Sequence, residues 1–540
     1  MVSIVASKGI LRVFTRARRW RVAAFSVSVL LLSLLALHFH PIFAATPQDM
    51  TTCSLSEESQ QRAGYVVGVY NSTHYYAMNG TTEEFDFVGE NAYTVITSAI
   101  TSSRGGLIHI KNGSYAITTR INIQHLNGLI LEGEGWDTVL KAFSPNQIIR
   151  LTNCSNVTIK NLQLDGQRTS TAVSGGGLLD LLRCSNATIA KVYAHSARTH
   201  GIEVTKSVSV TIEDCLTIDN GDDGISLDDG PYAPGGSNGA SVSRDITIIG
   251  CESRDNVQDS SAGFEINDGV KRVTFIECVA TGNNRGFDIH THLDNVAPAN
   301  ISYISCKATE NFGSDAPRGG FVCWADTGAE IATNVVYTTC YSSDNSGYGF
   351  LIRHNQNSNL LSVNNTINES DITNNSVGIG LLGALSHTVI YGNNLANNKY
   401  GVMFDNPSNN KLYHNNFVNN TFQVSLSNSE ANFWDDGYPS GGNYWSNYTG
   451  VDLYSGPFQN ETGSDGIGDT PYIINEGNTD NYPLASPFGA PSDDAFSVWL
   501  TLWILAIPVT IAAVAAGILV YFTKVKINAR AAFRSFFHKP

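Results

Sequence analysis

Gly263-Phe264-Glu265-Ile266-Asn267, Gly286-Phe287-Asp288-Ile289-His290 and Gly320-Phe321-Val322-Cys323-Trp324 repeat one frame: glycine, apolar, any residue, apolar, any residue. The frame starts again at Gly201, Gly224, Gly349, Gly378 and Gly401. Alternation with a period of two makes each stretch a short strand with one buried face. Between these strands runs a second series, an apolar residue followed three positions later by a small or amide side chain. Its pairs are Ile212 and Cys215, Ile248 and Cys251, Phe275 and Cys278, Tyr303 and Cys306, Tyr337 and Cys340, Ile367 and Ser370, Ile390 and Asn393, and Leu412 and Asn415. Its members return every 22 to 36 residues, so the chain keeps coming back to one place.

Strands this short cannot bury a face alone, and turns rich in Asn and Gly separate them. The pattern predicts an all-β fold, a right-handed parallel β-helix of about ten to twelve coils and roughly 50 Å in length. Leucine-rich and tandem-helical repeats are excluded because the apolar spacing is two rather than 3.6. The segment Asn91 to Ile100 has the spacing of a short amphipathic helix with Asn91 near its N-cap, expected to cap the open end of the stack.

The flanks set the expected compartment. Lys8, Arg12, Arg16, Arg18, Arg19 and Arg21 precede an apolar run from Ala23 to Leu37, which reads as a signal peptide or N-terminal membrane anchor within residues 1–45. Residues 496–522 are apolar with Pro508 as the one breaker, and the basic tail 523–540 follows; this reads as a transmembrane helix with a cytoplasmic tail. Between them the chain divides into an extension and cap at 46–104, the β-helix at 105–430 and a C-terminal module at 431–490. The expected location is the cell membrane, with the β-helix extracellular.

Eleven of the 33 Lys and Arg residues lie in the two flanks, where no acid occurs, so the middle carries 22 basic against 48 acidic groups, a net −26. Nucleic acid is therefore not an expected partner. Sequons including Asn71, Asn112, Asn300, Asn447 and Asn460 are compatible with surface glycosylation. Five of the nine cysteines, Cys215, Cys251, Cys278, Cys306 and Cys340, share one ladder position, and are expected as small buried thiols rather than bridges.

Three blocks carry a family resemblance. The first is Gly105 to Tyr115 with Leu129 to Gly135, which looks like an opening β-helix coil. The others are Asn432-Phe433-Trp434-Asp435-Asp436-Gly437-Tyr438-Pro439 continuing to Ser446, and Gly463 to Tyr472 with Asp480-Asn481-Tyr482-Pro483. On these, residues 65–490 resemble archaeal surface proteins with the NosD-like β-helix of the pectate-lyase superfamily. The resemblance implies fold and cell-surface location; that superfamily spans lyases, hydrolases, epimerases and proteins without catalysis.

The outward columns carry the expected chemistry. In each frame the second and fourth residues after Gly should point to solvent. One column then reads Glu203, Ser226, Glu265, Asp288, Val322, Leu351, and the other Thr205, Asp228, Asn267, His290, Trp324, Arg353. Carboxylates, a histidine, a tryptophan and an arginine on one face suit an extended groove for a polymer. Asp288 and His290 with Glu265 are the expected acid–base group, while Asp228, Glu203 and Arg353 are expected to line the groove and Trp324 to stack on a sugar.

Two motif comparisons sharpen this. Asn220-Gly221-Asp222-Asp223-Gly224 is similar to the Gly-Asp-Asp motif of polygalacturonases, whose paired carboxylates serve inverting hydrolysis. His200 and Ala262 depart from that family's site, which places Asp222 and Asp223 as groove residues. Arg285-Gly286-Phe287-Asp288-Ile289-His290-Thr291 resembles the Tyr-Gly-x-Asp-Pro-His-Asp motif of mannuronan C5-epimerases, departing at Arg285, Ile289 and Thr291. The expected function is binding of an acidic polysaccharide or cell-surface glycan, with modification of the lyase or C5-epimerase type ahead of glycoside hydrolysis. The rival expectation is a non-catalytic surface or adhesion protein. Asp465 and Asp469, set among glycines, are the expected ligands of a Ca2+ ion.

Overall fold

The computed structural model describes residues 64–489, apart from 144–146, 169–175, 230–242, 257, 259–260, 293–296, 314–316, 327–328, 356–360 and 429–430. The expected signal or anchor at 1–45, the start of the extension, the membrane helix at 496–522 and the tail lie outside the described residues. Within them, no helix is long and apolar enough to cross a membrane.

The Gly frames form the rungs of one sheet. Among the described residues twelve strands, from Ile121–Gln124 through Arg285–Thr291 to Phe422–Ser427, pair in sequence order and all in parallel. The strands between them build the other two faces of each coil. One face runs through Val208–Glu213, Arg244–Ile249, Lys271–Ile276, Ala299–Ile304 and Thr333–Thr338. The other runs through Leu216–Ile218, Glu252–Arg254, Val279–Thr281, Lys307–Thr309 and Tyr341–Ser343. The result is a parallel β-helix.

Two of the left-handed residues that recur in each coil bend it between strands. One precedes every member of the cysteine column: Asp214, Gly250, Glu277, Ser305, Thr339, Glu369, Gly392 and His414 all have φ between 51° and 69°. Turning the backbone there ends one strand and starts the next at an angle. The column itself stacks as expected. Cys340 N donates to Ser370 Oγ at 3.0 Å, Ser370 N to Asn393 Oδ1 at 3.0 Å, and Asn393 N to Asn415 Oδ1 at 3.1 Å. Cys154, Cys184, Cys215, Cys251, Cys278, Cys306, Cys323 and Cys340 are buried free thiols.

The second bend carries a ladder that the repeat reading does not anticipate. Asn220, Asn256, Asn283, Asn311, Asn345, Asn375, Asn398 and Asn420 are all buried, and each side-chain carbonyl accepts the backbone N–H of its counterpart one coil earlier at 2.9–3.1 Å. Each amide satisfies a corner N–H that no strand partner reaches. Replacing Asn311 by alanine strands the N–H of Asn283 and the carbonyl of Ala280. A loss of about 3 kcal/mol in a urea titration is expected; a loss below about 0.5 kcal/mol would show the ladder to be dispensable.

Both ends of the stack are closed. The helix Ala92–Ser103 begins at Asn91, whose side chain accepts Thr94 N–H, and buries Ala92, Val95, Ile96, Ala99 and Ile100 in the core. At the other end Trp445 stacks between Phe417 and Tyr472 at 4.3 Å each, and Asp480 accepts its indole N–H at 2.8 Å. Burying these rings removes the last coil's apolar edge from water.

Candidate functional site

The register of the twelve-stranded sheet aligns one outward column across twelve rungs: Asn122, Arg150, Asp180, Glu203, Ser226, Glu265, Asp288, Val322, Leu351, Gly380, Met403 and Ser425. The coil geometry is the same throughout, yet Val, Leu, Gly and Met fill the column on the later rungs. The fold therefore does not need ionisable groups here. They are confined to the rungs from Arg150 to Asp288.

These groups face away from the core but not into solvent, which corrects the expectation of a wet face. Glu203, Glu265, Asp288 and His290 are buried, Asp288 completely at 0% exposure. Side chains and backbone lie across them. Gly177 N–H donates to Glu203 at 2.9 Å, and Arg285, held by Pro317 O at 2.8 Å, reaches Asp288 Oδ2 at 2.9 Å. Trp324 Nε1 donates to Asp288 Oδ1 at 3.0 Å.

The expected Asp288–His290 pair is thus corrected. Asp288 has both oxygens held; burial pushes its carboxyl up to about 6 against the pull of Arg285. His290 stacks on Trp324 at 3.6 Å and 15° and lies 3.7 Å from the His292 ring. Burial, with the neighbouring His292 and Arg285, pushes it down to about 3, so it is neutral at ordinary pH. The Trp324 face expected to receive a sugar is covered by His290, and the Arg285 guanidinium carbon lies 5.2 Å from its ring centre. Trp324 acts here as a hydrogen-bond donor and a packing surface.

The open part of the site lies at Asp222, Asp223 and His200. The Asp222 side chain is 30% exposed and His200 is 16% exposed, while Asp223 beneath them is 1% exposed. His200 Nδ1 lies 3.0 Å from Asp223 Oδ2, and Asp222 Oδ2 is 4.0 Å from Nε2. Burial disfavours the imidazolium, but Asp222, Asp223 and Glu203 outweigh it and raise His200 to about 10. Burial and the Asp223 charge push Asp222 up to about 7. Burial raises Asp223, but the His200 ring 3.0 Å away and the Ala262 N–H prevail and hold it low. Glu265 is driven well above the carboxylate range by burial and by Asp223, so it carries a proton; Asn267 Nδ2 and Ser226 Oγ donate to its Oε2 at 2.7 and 3.3 Å.

Sequence reasoning missed Asp180 and Arg150, which pair at 3.1 Å, because Gly177-Leu178-Leu179-Asp180 shifts the frame by one residue. Burial and Glu203 push Asp180 up to about 7. Asp228 is half-buried on the second outward column beside Thr205. Arg353, paired in register with Trp324, opens on a cleft of about 450 Å3 with His354, Asn355, Leu382 and Asp405. Asp465 and Asp469 do not join these groups. Asp469 accepts the N–H groups of Leu453 and Tyr454, and Asp465 those of Gly456 and Ile467. These bonds close the loop 452–469 on itself.

Residues 236–450 match the family model described as periplasmic copper-binding protein (NosD), and residues 142–300 match right handed beta helix region. The preneck appendage proteins of Bacillus phages PZA and phi29 are 28% identical over 188 residues, 30% of this chain. The match spans 20% of those relatives' own length. Among solved structures, the A-module of Azotobacter vinelandii mannuronan C-5 epimerase AlgE4 aligns over 61% of this chain and 91% of its own at 18% identity and a TM-score of 0.46. That of AlgE6 aligns over 63% and 93% at 20% identity and 0.44. Together with the strand register, the match over residues 142–300 gives the chain a parallel β-helix fold similar to that of right-handed β-helix proteins.

Proposed function

We propose that the chain binds a polysaccharide lengthwise on the outer face of the twelve-stranded sheet and modifies it by acid–base chemistry at the cluster of Asp222, Asp223, His200 and Glu265. The observation that carries this is the confinement of buried carboxyls to a few rungs of a column whose later rungs carry Val322, Leu351, Gly380 and Met403. Burying ionisable groups costs several kcal/mol unless they are paired, and a fold that tolerates Val322 and Leu351 gains nothing from it. Perturbed carboxyls beside an exposed one are what proton transfer requires: Asp222 faces outward, and Glu265 holds a proton beneath it.

The substrate proposed is an acidic polysaccharide. Arg353 in its cleft suits a sugar carboxylate, and it lies four rungs from the Asp222 turn, about 19 Å at the spacing of paired strands. Only a chain of several sugars spans that distance. Placement at the cell surface is part of the proposal and rests on the apolar segments within 1–45 and at 496–522.

The test incubates the purified full chain with alginate, pectate and a neutral glucan, following ultraviolet absorbance for unsaturated ends and NMR for epimerised residues. Turnover of a uronate polymer, lost in Asp222→Asn and weakened in Arg353→Ala, is expected. Binding without any product would favour the adhesion reading, and neither binding nor product on the panel would end the proposal.

A further inference from the structure

We infer that His200, Asp222 and Asp223 form a binding site for one divalent transition-metal cation. One ligand atom from each of the three comes within 4.8 Å of the other two. They are brought together by two successive coils: His200 directly precedes the strand frame at Gly201, and Asp222 and Asp223 precede the next one at Gly224. Gly201 N–H donates to Asp223 O at 3.0 Å, which locks the two turns in register.

A second observation is independent of that grouping. Asp223 is 1% exposed, and its Oδ1 is taken by the Ala262 N–H at 2.7 Å. Its Oδ2 has no hydrogen-bond donor, and His200 Nδ1 likewise has no hydrogen-bond partner, although the two atoms are 3.0 Å apart. Close atoms that are misaligned for a hydrogen bond are what neighbouring ligands on one ion look like. Two donors at right angles on an ion about 2.1 Å from each lie about 3.0 Å apart, with the oxygen off the axis of the nitrogen lone pair. A buried carboxylate oxygen and a ring nitrogen left without hydrogen bonds are otherwise costly.

The donor set selects the ion. One imidazole and two carboxylates suit Zn2+, Mn2+ or Fe2+, whereas Ca2+ and Mg2+ prefer oxygen donors alone. Three protein donors leave positions for water or a sugar oxygen on the side where Asp222 is exposed. The inference adds an ion to the polysaccharide site proposed above, but its test needs no glycan.

The full chain, stripped with a chelator and dialysed, is titrated calorimetrically with Zn2+, Mn2+, Ca2+ and Mg2+ in turn. One equivalent of Zn2+ or Mn2+ is expected, bound at least tenfold more tightly than Ca2+ or Mg2+. His200→Gln and Asp222→Asn, the latter a change at a half-buried group, should each weaken it at least thirtyfold, with Asp469→Asn unchanged as a control and circular dichroism confirming the fold. Absence of a saturable site in folded wild-type chain would overturn the inference. So would wild-type affinity in both cluster variants, or loss in Asp469→Asn alone. A failed glycan screen with an intact metal titration would reject the polysaccharide reading and leave this one standing.

Discussion

Phe321→Ala is expected to destabilise the chain by about 3–5 kcal/mol, more than any other single truncation in the core. Phe321 is the middle of a four-ring stack, lying 4.8 Å from Phe287 and 4.6 Å from Phe350 with planes within 6° of parallel. Phe264 continues the stack at 4.8 Å from Phe287. A second stack, Phe275, Tyr303 and Tyr337, meets it edge-on; Phe321 sits 5.7 Å from Tyr303 and 5.6 Å from Tyr337. Removing the ring therefore opens a cavity between two rungs and breaks contacts in both directions along the stack. Adjacent coils cannot collapse into it, because the strands on either side are fixed by their ladders. Urea denaturation of the full chain measures the loss. Phe321→Leu, which keeps most of the volume, should lose less than half as much. A Phe321→Ala chain within about 1 kcal/mol of wild type would mean that the rings do not hold the coils in register.

Much of the coil was legible because it is periodic. The Gly frame set the register of the twelve-stranded sheet, so that Glu203, Ser226, Glu265, Asp288, Val322 and Leu351 lie opposite one another as read. The cysteine column was legible from its spacing. The asparagine ladder was present in the same signal: Asn220, Asn256, Asn283, Asn311, Asn345, Asn375, Asn398 and Asn420 each stand five residues after a column member. Its spacing alone does not mark it as a ladder, because Asn at a turn usually signals only a bend.

The site was less legible, for a physical reason. Alternation tells which way a side chain leaves the sheet, not what lies over it. Asp288 and His290 do leave the outer face, but Arg285 and Trp324 from their own and the next rung fold across them. Arg285 comes from the strand's first residue, before the Gly that anchors the frame, so no alternation rule places it. Asp222 and Asp223, expected as groove residues, form the turn through which the cluster reaches solvent.

The second large effect has an unusual sign. Glu265→Met is expected to raise stability by about 1–3 kcal/mol at neutral pH while abolishing turnover of the polysaccharide. Met403 fills the same column five rungs later, so the coil accommodates that side chain. The folded chain holds a proton on Glu265 far above the pH at which the unfolded chain releases it. Wild-type stability therefore falls as pH rises from the ordinary glutamate range toward that raised value, since over this interval the folded state binds more protons than the unfolded one. The methionine variant lacks the Glu265 share of that loss, while Asp180 and Asp222, raised to about 7, keep theirs. Its advantage should be small near pH 4.5 and widen toward about pH 8.

That comparison, urea midpoints of wild type and Glu265→Met from about pH 4.5 to about pH 8, tests the central claim most directly, because it needs neither the substrate nor the reaction to be known. If the buried carboxyls serve function and not the fold, the variant is the more stable protein and its margin grows with pH. A variant less stable than wild type across the whole range would show that Glu265 holds the coils together, and the case for a site on this face would fall with it.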